Sequence, residues 1–279
     1  MIVVTGATGN IGRPLTQALA EAGEQVTAVS RHVAAAPAGG RHVVADLADP
    51  AGLGQALAGA KALFLLLSGD LHAVGANPAD IVARAVATGV RRVVLLSSLG
   101  VATRPFGTTR VAMRVLEDVV RESGVDWAIL RPGGFASNAL WWAESVRSRQ
   151  VVAAPFGDTG VPIVDPADIA EVAAACLLDD RHLGEVYELT GPEVITPREQ
   201  AEVLAAVLGS PVRFHELTRA EAKAGMAESM PAELADDTLD ILSSPTPAEL
   251  RVSPDVQRIL GRAPRSFADW AARNVAAFR

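Results

Sequence analysis

The feature that most constrains this chain is a short glycine-rich loop near its start, Gly6-Ala7-Thr8-Gly9-Asn10-Ile11-Gly12. It directly follows the β-branched run Ile2-Val3-Val4-Thr5 and directly precedes an amphipathic segment, Ile11 to Ala22, with Pro14 in its first turn. Glycine is common here, 24 of 279 residues, so the loop alone would suit an ordinary turn. Its setting between a strand and a helix, inside a βαβ unit, is what gives it meaning. Gly6 permits a tight turn, Gly9 lets the backbone approach a pyrophosphate, and Gly12 lets the helix pack on the strand. The first N–H groups of that helix, with its dipole, then face an anion. The expectation is a dinucleotide held through Gly6, Ala7, Thr8, Gly9, Asn10, Ile11 and Gly12.

The rest of the first half repeats the alternation. Further strands are expected at Gln25–Val29, His42–Ala45, Ala62–Leu67, Arg92–Leu96 and Asp126–Leu130, with helices at Ala79–Thr88 and Thr109–Glu122. The unbroken apolar run Ala62-Leu63-Phe64-Leu65-Leu66-Leu67 suits a central parallel strand covered on both faces. The fold class is α/β: a Rossmann-type doubly wound parallel sheet with a smaller, mainly helical C-terminal substrate lobe. The expected division is residues 1–155 for the nucleotide-binding domain and 156–279 for the lobe, interleaved and without a clear linker. In the second half a helix is expected at Asn138–Arg147, short strands at Val151–Val152, Val161–Val164 and Val186–Leu189, and a strong helix at Pro166–Leu178. Thr196 with Glu199 three residues on has capping-box spacing. Segments around Val212–His215, Ala220–Ser229, Ala232–Leu242 and Ser266–Phe278 complete a mainly helical tail.

A dinucleotide fold that uses NAD(H) carries an acid after its second strand, for the ribose 2′-hydroxyl. Here that strand ends Val29-Ser30-Arg31-His32. Arg31 suits a 2′-phosphate, so NADP(H) is preferred over NAD(H); the alternative is a surface arginine on the loop. Asp46-Leu47, after the third strand, stand where an adenine edge would lie, or Asp46 caps the next turn.

Composition excludes other classes. With 49% hydrophobic residues a sizeable core is expected, not disorder. A net charge of -7 argues against a nucleic-acid partner, which needs a basic face. The lone Cys176 lies in an apolar run and rules out a disulfide or multi-cysteine metal site; no metal is expected. No secretory leader or apolar run of membrane length is visible, so a cytoplasmic location and no membrane association are expected.

With these motifs in order, the chain resembles the NmrA-like branch of the atypical short-chain dehydrogenases, particularly its NAD(P)H:quinone oxidoreductase and azoreductase-like members. The resemblance covers nearly the whole chain. It is carried by Val3–Gly12, by Val94-Leu95-Leu96-Ser97-Ser98, by Ser123-Gly124 ahead of Leu130-Arg131-Pro132-Gly133-Gly134-Phe135, by Val164–Ala170 and by Arg265–Ala271. It implies that Leu67, Ser68, Ser97 and Ser98 line the nicotinamide ribose. It also implies that Pro132 and Gly133 shape the nicotinamide pocket, and that Phe135, Asn138, Trp141 and Trp142 reach the substrate. For the two tryptophans helix packing is the competing reading, and Tyr187 reads as core. Relatives of this fold pair through helices corresponding to Ala79–Thr88 and Thr109–Glu122, which implies a homodimer.

The chain departs from short-chain dehydrogenases in its chemistry. Their Tyr-x-x-x-Lys pair supplies a proton to an alkoxide. Counting back from Ser123-Gly124, those positions fall on Met113 and Glu117. No catalytic acid is assigned; Ser98, Thr108, Thr109 and His72 are the candidates. The expected activity is an NADPH-dependent reductase passing hydride to a quinone-like or polycyclic aromatic small molecule. The competing reading is a non-catalytic NADP(H) sensor of NmrA type.

Overall fold

The computed structural model describes residues 1–46, 49–67, 77–104, 106, 108–227 and 232–279. In chain order the strands are β1 (Ile2–Thr5), β2 (Val26–Ser30), β3 (Arg41–Val44), β4 (Ala62–Leu66), β5 (Arg92–Leu96), β6 (Asp126–Pro132), β7 (Val151–Ala154), β8 (Glu185–Leu189) and β9 (Arg213–Glu216). The α-helices are α1 (Gly12–Glu21), α2 (Pro50–Leu57), α3 (Pro78–Ala87), α4 (Gly100–Thr103), α5 (Thr108–Glu122), α6 (Ala143–Arg149), α7 (Pro166–Leu178), α8 (Pro197–Leu208), α9 (Arg219–Met226), α10 (Ala232–Ser243), α11 (Asp255–Leu260) and α12 (Phe267–Arg273).

The chain forms two compact units. The first holds Met1–Pro132, Pro166–Leu189 and Arg258–Gly261; the second holds Gly133–Asp165, Thr190–Gln257 and Arg262–Arg279. The chain first passes from one unit to the other after Pro132, and the two are interleaved along the sequence. The chain returns to the first unit because β8 pairs with β6, Leu130 opposite Tyr187, and α7 packs on α1.

In the first unit a seven-stranded parallel sheet runs β3-β2-β1-β4-β5-β6-β8. Strand order reverses at β1, whose neighbours are β2 on one side and β4 on the other. Ligands of open α/β sheets sit beyond the strand carboxyl ends at such a reversal. The central strands are apolar on both faces because helices cover both. On one face α2, α3 and α5 pack in turn, and Leu53, Leu57, Ile81, Leu116 and Val120 join Val3, Leu63, Leu65 and Ile129 in one core. On the other, α7 lies against β4, β5 and β6. Edge strand β3 is largely exposed. Cys176 is fully buried in α7, and that burial pushes its thiol up to about 12, which makes it an inert core residue.

In the second unit β7 pairs in parallel with β9, Val152 opposite Phe214. The segment around Val212–His215 is thus a strand in a tail expected to be mainly helical. The expected strand Val161–Val164 is reduced to two isolated bridges, Val161 with Ile195 and Val164 with Phe135. Its ends pair with different partners, and Pro162 between them has no N–H to extend either ladder. The helix expected at Asn138–Arg147 begins as a 3-10 helix, Ala136–Trp142, and becomes α6 only at Ala143. The capping box at α8 is formed in both directions: the Glu199 amide donates to Thr196 Oγ1 at 3.1 Å, and the Thr196 amide donates to Glu199 Oε2 at 2.8 Å. Phe267, Trp270 and Phe278 pack together at the centre of this unit's core, with Phe267 stacked on Trp270 at 5.5 Å.

A nucleotide-binding candidate site in the first unit

The loop Gly6–Gly12 sits at the carboxyl end of β1, at the strand-order reversal. Thr5, fully buried, prepares it. Val4 opposite Phe64 is the last β1–β4 pair. Beyond it the Thr5 hydroxyl replaces the main-chain ladder, accepting from the Leu66 amide at 2.8 Å and donating toward the Phe64 and Leu66 carbonyls at 3.1 and 3.2 Å. The strands can then part without leaving buried amide groups unpaired.

The turn itself depends on its glycines. Gly6 has φ +62, a left-handed conformation that side chains disfavour. At Gly12 a Cβ would lie 2.2 Å from the Gly6 carbonyl oxygen and 2.6 Å from Ala7 Cα. Close contact between helix start and loop is therefore built in. The Gly9 amide closes the turn on Gly6 O at 3.0 Å, Arg13 N donates to Gly9 O at 3.1 Å, and Ala7 N donates to Val29 O at 3.1 Å. The last bond ties the loop to β2. The result is a helix N-terminus presented on a tight backbone cradle, the arrangement that takes a pyrophosphate.

Beside the loop lies a groove of about 330 Å³, lined by Ala7, Thr8, Arg13, Thr16, Ala28, Ala34, Ala35, Pro37 and His42. It opens where β2 gives way to the loop that carries Arg31. Ser30, at that point, donates to the His32 carbonyl at 2.8 Å and lies 2.7 Å from His42 Nε2. A hydroxyl has one proton, so His42 donates from Nε2, and the pair fixes the start of the Arg31 loop. Arg31 is exposed. Arg13 and His42, absent from the expected site, contribute cationic and polar groups to the groove. Arg13 had a signal in the sequence, as the basic residue next to the last loop glycine.

Asp46 is exposed, and its carbonyl accepts from Asp49 N at 3.0 Å. The side chain of Asp49 accepts from Gly52 N at 3.2 Å. Asp49 thus supplies a side-chain cap at the start of α2. Leu47, Ser68 and His72 lie outside the described residues, as do the side chains of Thr108 and Thr109.

Leu67, at the carboxyl end of β4, and Ser97, at that of β5, are buried, and Ser98 is half-buried. Ser98 Oγ accepts from Gly100 N at 3.2 Å. Ser97 donates to Glu117 Oε1 at 2.5 Å. Glu117, fully buried, also receives Arg131 through Nε at 2.9 Å and Nη2 at 2.6 Å, and Arg121 Nη2 at 2.9 Å. Burial pushes the Glu117 carboxyl up, yet hydrogen bonds from Arg131, Ser97 and Arg121 and the Arg131 charge outweigh it and hold it below the ordinary carboxylate value. Met113, four residues earlier on α5, packs against the core. At the Tyr-x-x-x-Lys spacing the chain therefore has a half-buried methionine packed against the core and an ion-paired carboxylate.

Pro132 is buried and its carbonyl accepts from Leu99 N at 2.9 Å; Gly133 is half-buried. Phe135 is half-buried and bridges to Val164, while Asn138 is exposed. The structure separates the two tryptophans: Trp142 packs on the core of the second unit, whereas Trp141 is 60% exposed. Tyr187 is a core residue of β8, hydrogen-bonded to His182 Nδ1 at 2.8 Å. Among the described residues no group of three or more His, Cys, Asp or Glu could hold a metal ion. Nor is any described helix long and apolar enough to cross a membrane.

A family model described as NAD(P)H-binding matches residues 6–180. Over 286 aligned residues the chain is 40% identical to the (4-alkanoyl-5-oxo-2,5-dihydrofuran-3-yl)methyl phosphate reductase of Streptomyces griseus subsp. griseus, covering 100% of this chain and 99% of that protein. It is 32% identical to the NAD(P)H azoreductase of Xenophilus azovorans over the same length and with the same coverage. The crystal structure of the NADPH-dependent quinone oxidoreductase of Escherichia coli complexed with NADPH superposes with a TM-score of 0.80 at 26% identity, covering 99% of this chain and 100% of that one. The loop, the parallel sheet and these relatives agree: the chain belongs to the NAD(P)H-binding family, in the NmrA-like branch of atypical short-chain dehydrogenases.

Proposed function

We propose that this chain is an NADPH-dependent oxidoreductase that passes hydride to a planar, electron-poor small molecule, quinone-like or polycyclic aromatic. The observation that carries the reading is the contact of Gly12 with the Gly6 carbonyl, a cradle that a Cβ would fill, opening beside a groove lined by Arg13. Gly6, Ala7, Thr8, Gly9, Asn10, Ile11 and Gly12 hold the pyrophosphate in this reading. Arg31 and Arg13 take the 2′-phosphate, with His42 closing the groove and Asp46 near the adenine. Leu67, Ser97, Ser98, Pro132 and Gly133 shape the nicotinamide side, and Phe135, Asn138, Trp141 and Trp142 serve the acceptor.

The bound cofactor supplies the hydride. The chain's own work is to place the acceptor against it and to exclude water. No Tyr-Lys pair stands on α5, so an acceptor whose reduced form is a stabilised anion fits this chain better than a simple ketone. Quinones have that property. So does the acyl-substituted unsaturated lactone named for the relative from Streptomyces griseus subsp. griseus, in which two carbonyl groups activate one double bond. Full-length relatives named as reductases support catalysis over a sensing role. A cytoplasmic homodimer completes the reading.

The test is to follow NADPH absorbance with quinones, azo compounds and acylated unsaturated lactones. Turnover of at least one class is expected. Tight NADPH binding with no turnover of any acceptor would leave a cofactor sensor in its place.

A further inference from the structure

Glu117 stands where the short-chain dehydrogenase spacing puts a lysine, and its partners show that it does different work. It is fully buried, yet it holds two guanidinium groups and a hydroxyl: Arg131 at 2.6 and 2.9 Å, Arg121 at 2.9 Å and Ser97 at 2.5 Å. A carboxylate clamped by two cations accepts hydrogen bonds and donates none. The Ser97 proton is therefore committed to Glu117. A hydroxyl has one proton and two lone pairs, so Ser97 retains only acceptor capacity.

Its place in the sheet says what that capacity is for. Ser97 follows β5 directly, and its amide donates to Leu130 O at 2.7 Å, which fixes the backbone at the strand end. β4, β5 and β6 form the second mononucleotide-binding half of a doubly wound sheet, opposite the half that holds the adenosine. Arg131, near the end of β6 and opposite Glu188, anchors Glu117 from the neighbouring strand.

We propose that Glu117 is a positioning residue that polarises Ser97, so that Ser97 presents a pure hydrogen-bond acceptor to a donor on the nicotinamide half of the cofactor, either a ribose hydroxyl or the carboxamide N–H. The proposal rests on the reading of the chain as an NADPH-binding reductase. It also means that Ser97 supplies no proton to the acceptor.

The experiment is equilibrium fluorescence titration of wild type, Ser97→Ala, Glu117→Gln and the double variant. The probes are NADPH, its 3-acetylpyridine analogue (which has methyl in place of the amide nitrogen) and the adenosine fragment 2′,5′-ADP. Each single variant is expected to weaken NADPH roughly fivefold to tenfold, the loss of one hydrogen bond. The double variant should be no weaker than either, and 2′,5′-ADP affinity should stay within about twofold, because it occupies the other half of the sheet. A Ser97→Ala penalty that persists with the acetylpyridine analogue assigns the donor to the ribose; one that vanishes assigns it to the carboxamide. Wild-type NADPH affinity in Ser97→Ala, additive penalties, or equal weakening of 2′,5′-ADP overturns the proposal. Ser97→Ala alone decides the matter if Glu117→Gln does not fold. A wild-type protein that binds no NADPH at all would remove the underlying reading, which is a separate outcome.

Discussion

A Cβ on residue 12 would lie 2.2 Å from the carbonyl oxygen of Gly6. The helix that opens at Gly12 is thus pressed against the turn that begins at Gly6, and no side chain fits between them. Gly12→Ala must move backbone against backbone. A loss of about 1–3 kcal/mol is expected, the usual range for overpacking, along with a weakening of NADPH binding by more than tenfold. Thermal unfolding and a fluorescence titration on the same sample check both.

Thr5 fastens β4 where β1 leaves it, through the Leu66 amide at 2.8 Å. Thr5→Val keeps the shape and removes the acceptor, which leaves the part-buried Leu66 N–H without this bond. A loss of about 1–3 kcal/mol is expected, read as a lower denaturant midpoint with an unchanged slope.

Arg31 and Arg13 are assigned to the 2′-phosphate. Replacing either by alanine should weaken NADPH about tenfold and leave NADH affinity within about twofold, since the two cofactors differ only in that phosphate. Parallel titrations with both cofactors measure the ratio. A selectivity that survives both replacements would remove the assignment.

Glu117 gives the fold a pH dependence of known sign. Its folded-state pKa is held below the ordinary value of 4.5. Its charge therefore contributes stability that is full above that value and is lost as pH falls through the folded one. Urea midpoints measured from neutral pH downward should drop in the wild type through this window. They should drop less steeply in Glu117→Gln, from a lower starting stability.

The two tryptophans should behave differently. Trp142 packs on the second unit's core, so Trp142→Ala should cost about 3 kcal/mol. Trp141 is 60% exposed, so Trp141→Ala should cost less than about 0.5 kcal/mol and raise the KM for the acceptor with little change in that for NADPH.

The parts legible in the sequence were those that depend on neighbours along the chain. β1, its glycine loop and α1 follow from one another within the first 22 residues, and the α8 capping box needs only Thr196 and Glu199. Pairings between distant strands were not legible. Nothing local to Tyr187 announces Leu130 opposite it, nor Phe214 beside Val152, so the return of α7 and β8 to the first unit and the short second sheet were missed. The site divides in the same way. The phosphate loop was read directly, whereas the groove of Arg13 and His42 is assembled from α1, β3 and the loop after β2. Glu117 was read only as a lysine that is missing. Its role depends on Ser97 and Arg131, which reach it because β5 and β6 are neighbours in the sheet.

The most direct test of the account is NADPH consumption in the presence of a quinone, with NADH in a matched reaction. One NADPH oxidised per quinone reduced is expected, well above the uncatalysed rate, with a preference for NADPH over NADH of about tenfold or more from the arginine contacts to the 2′-phosphate. Absence of both NADPH binding and turnover, or equal use of the two cofactors, would contradict it.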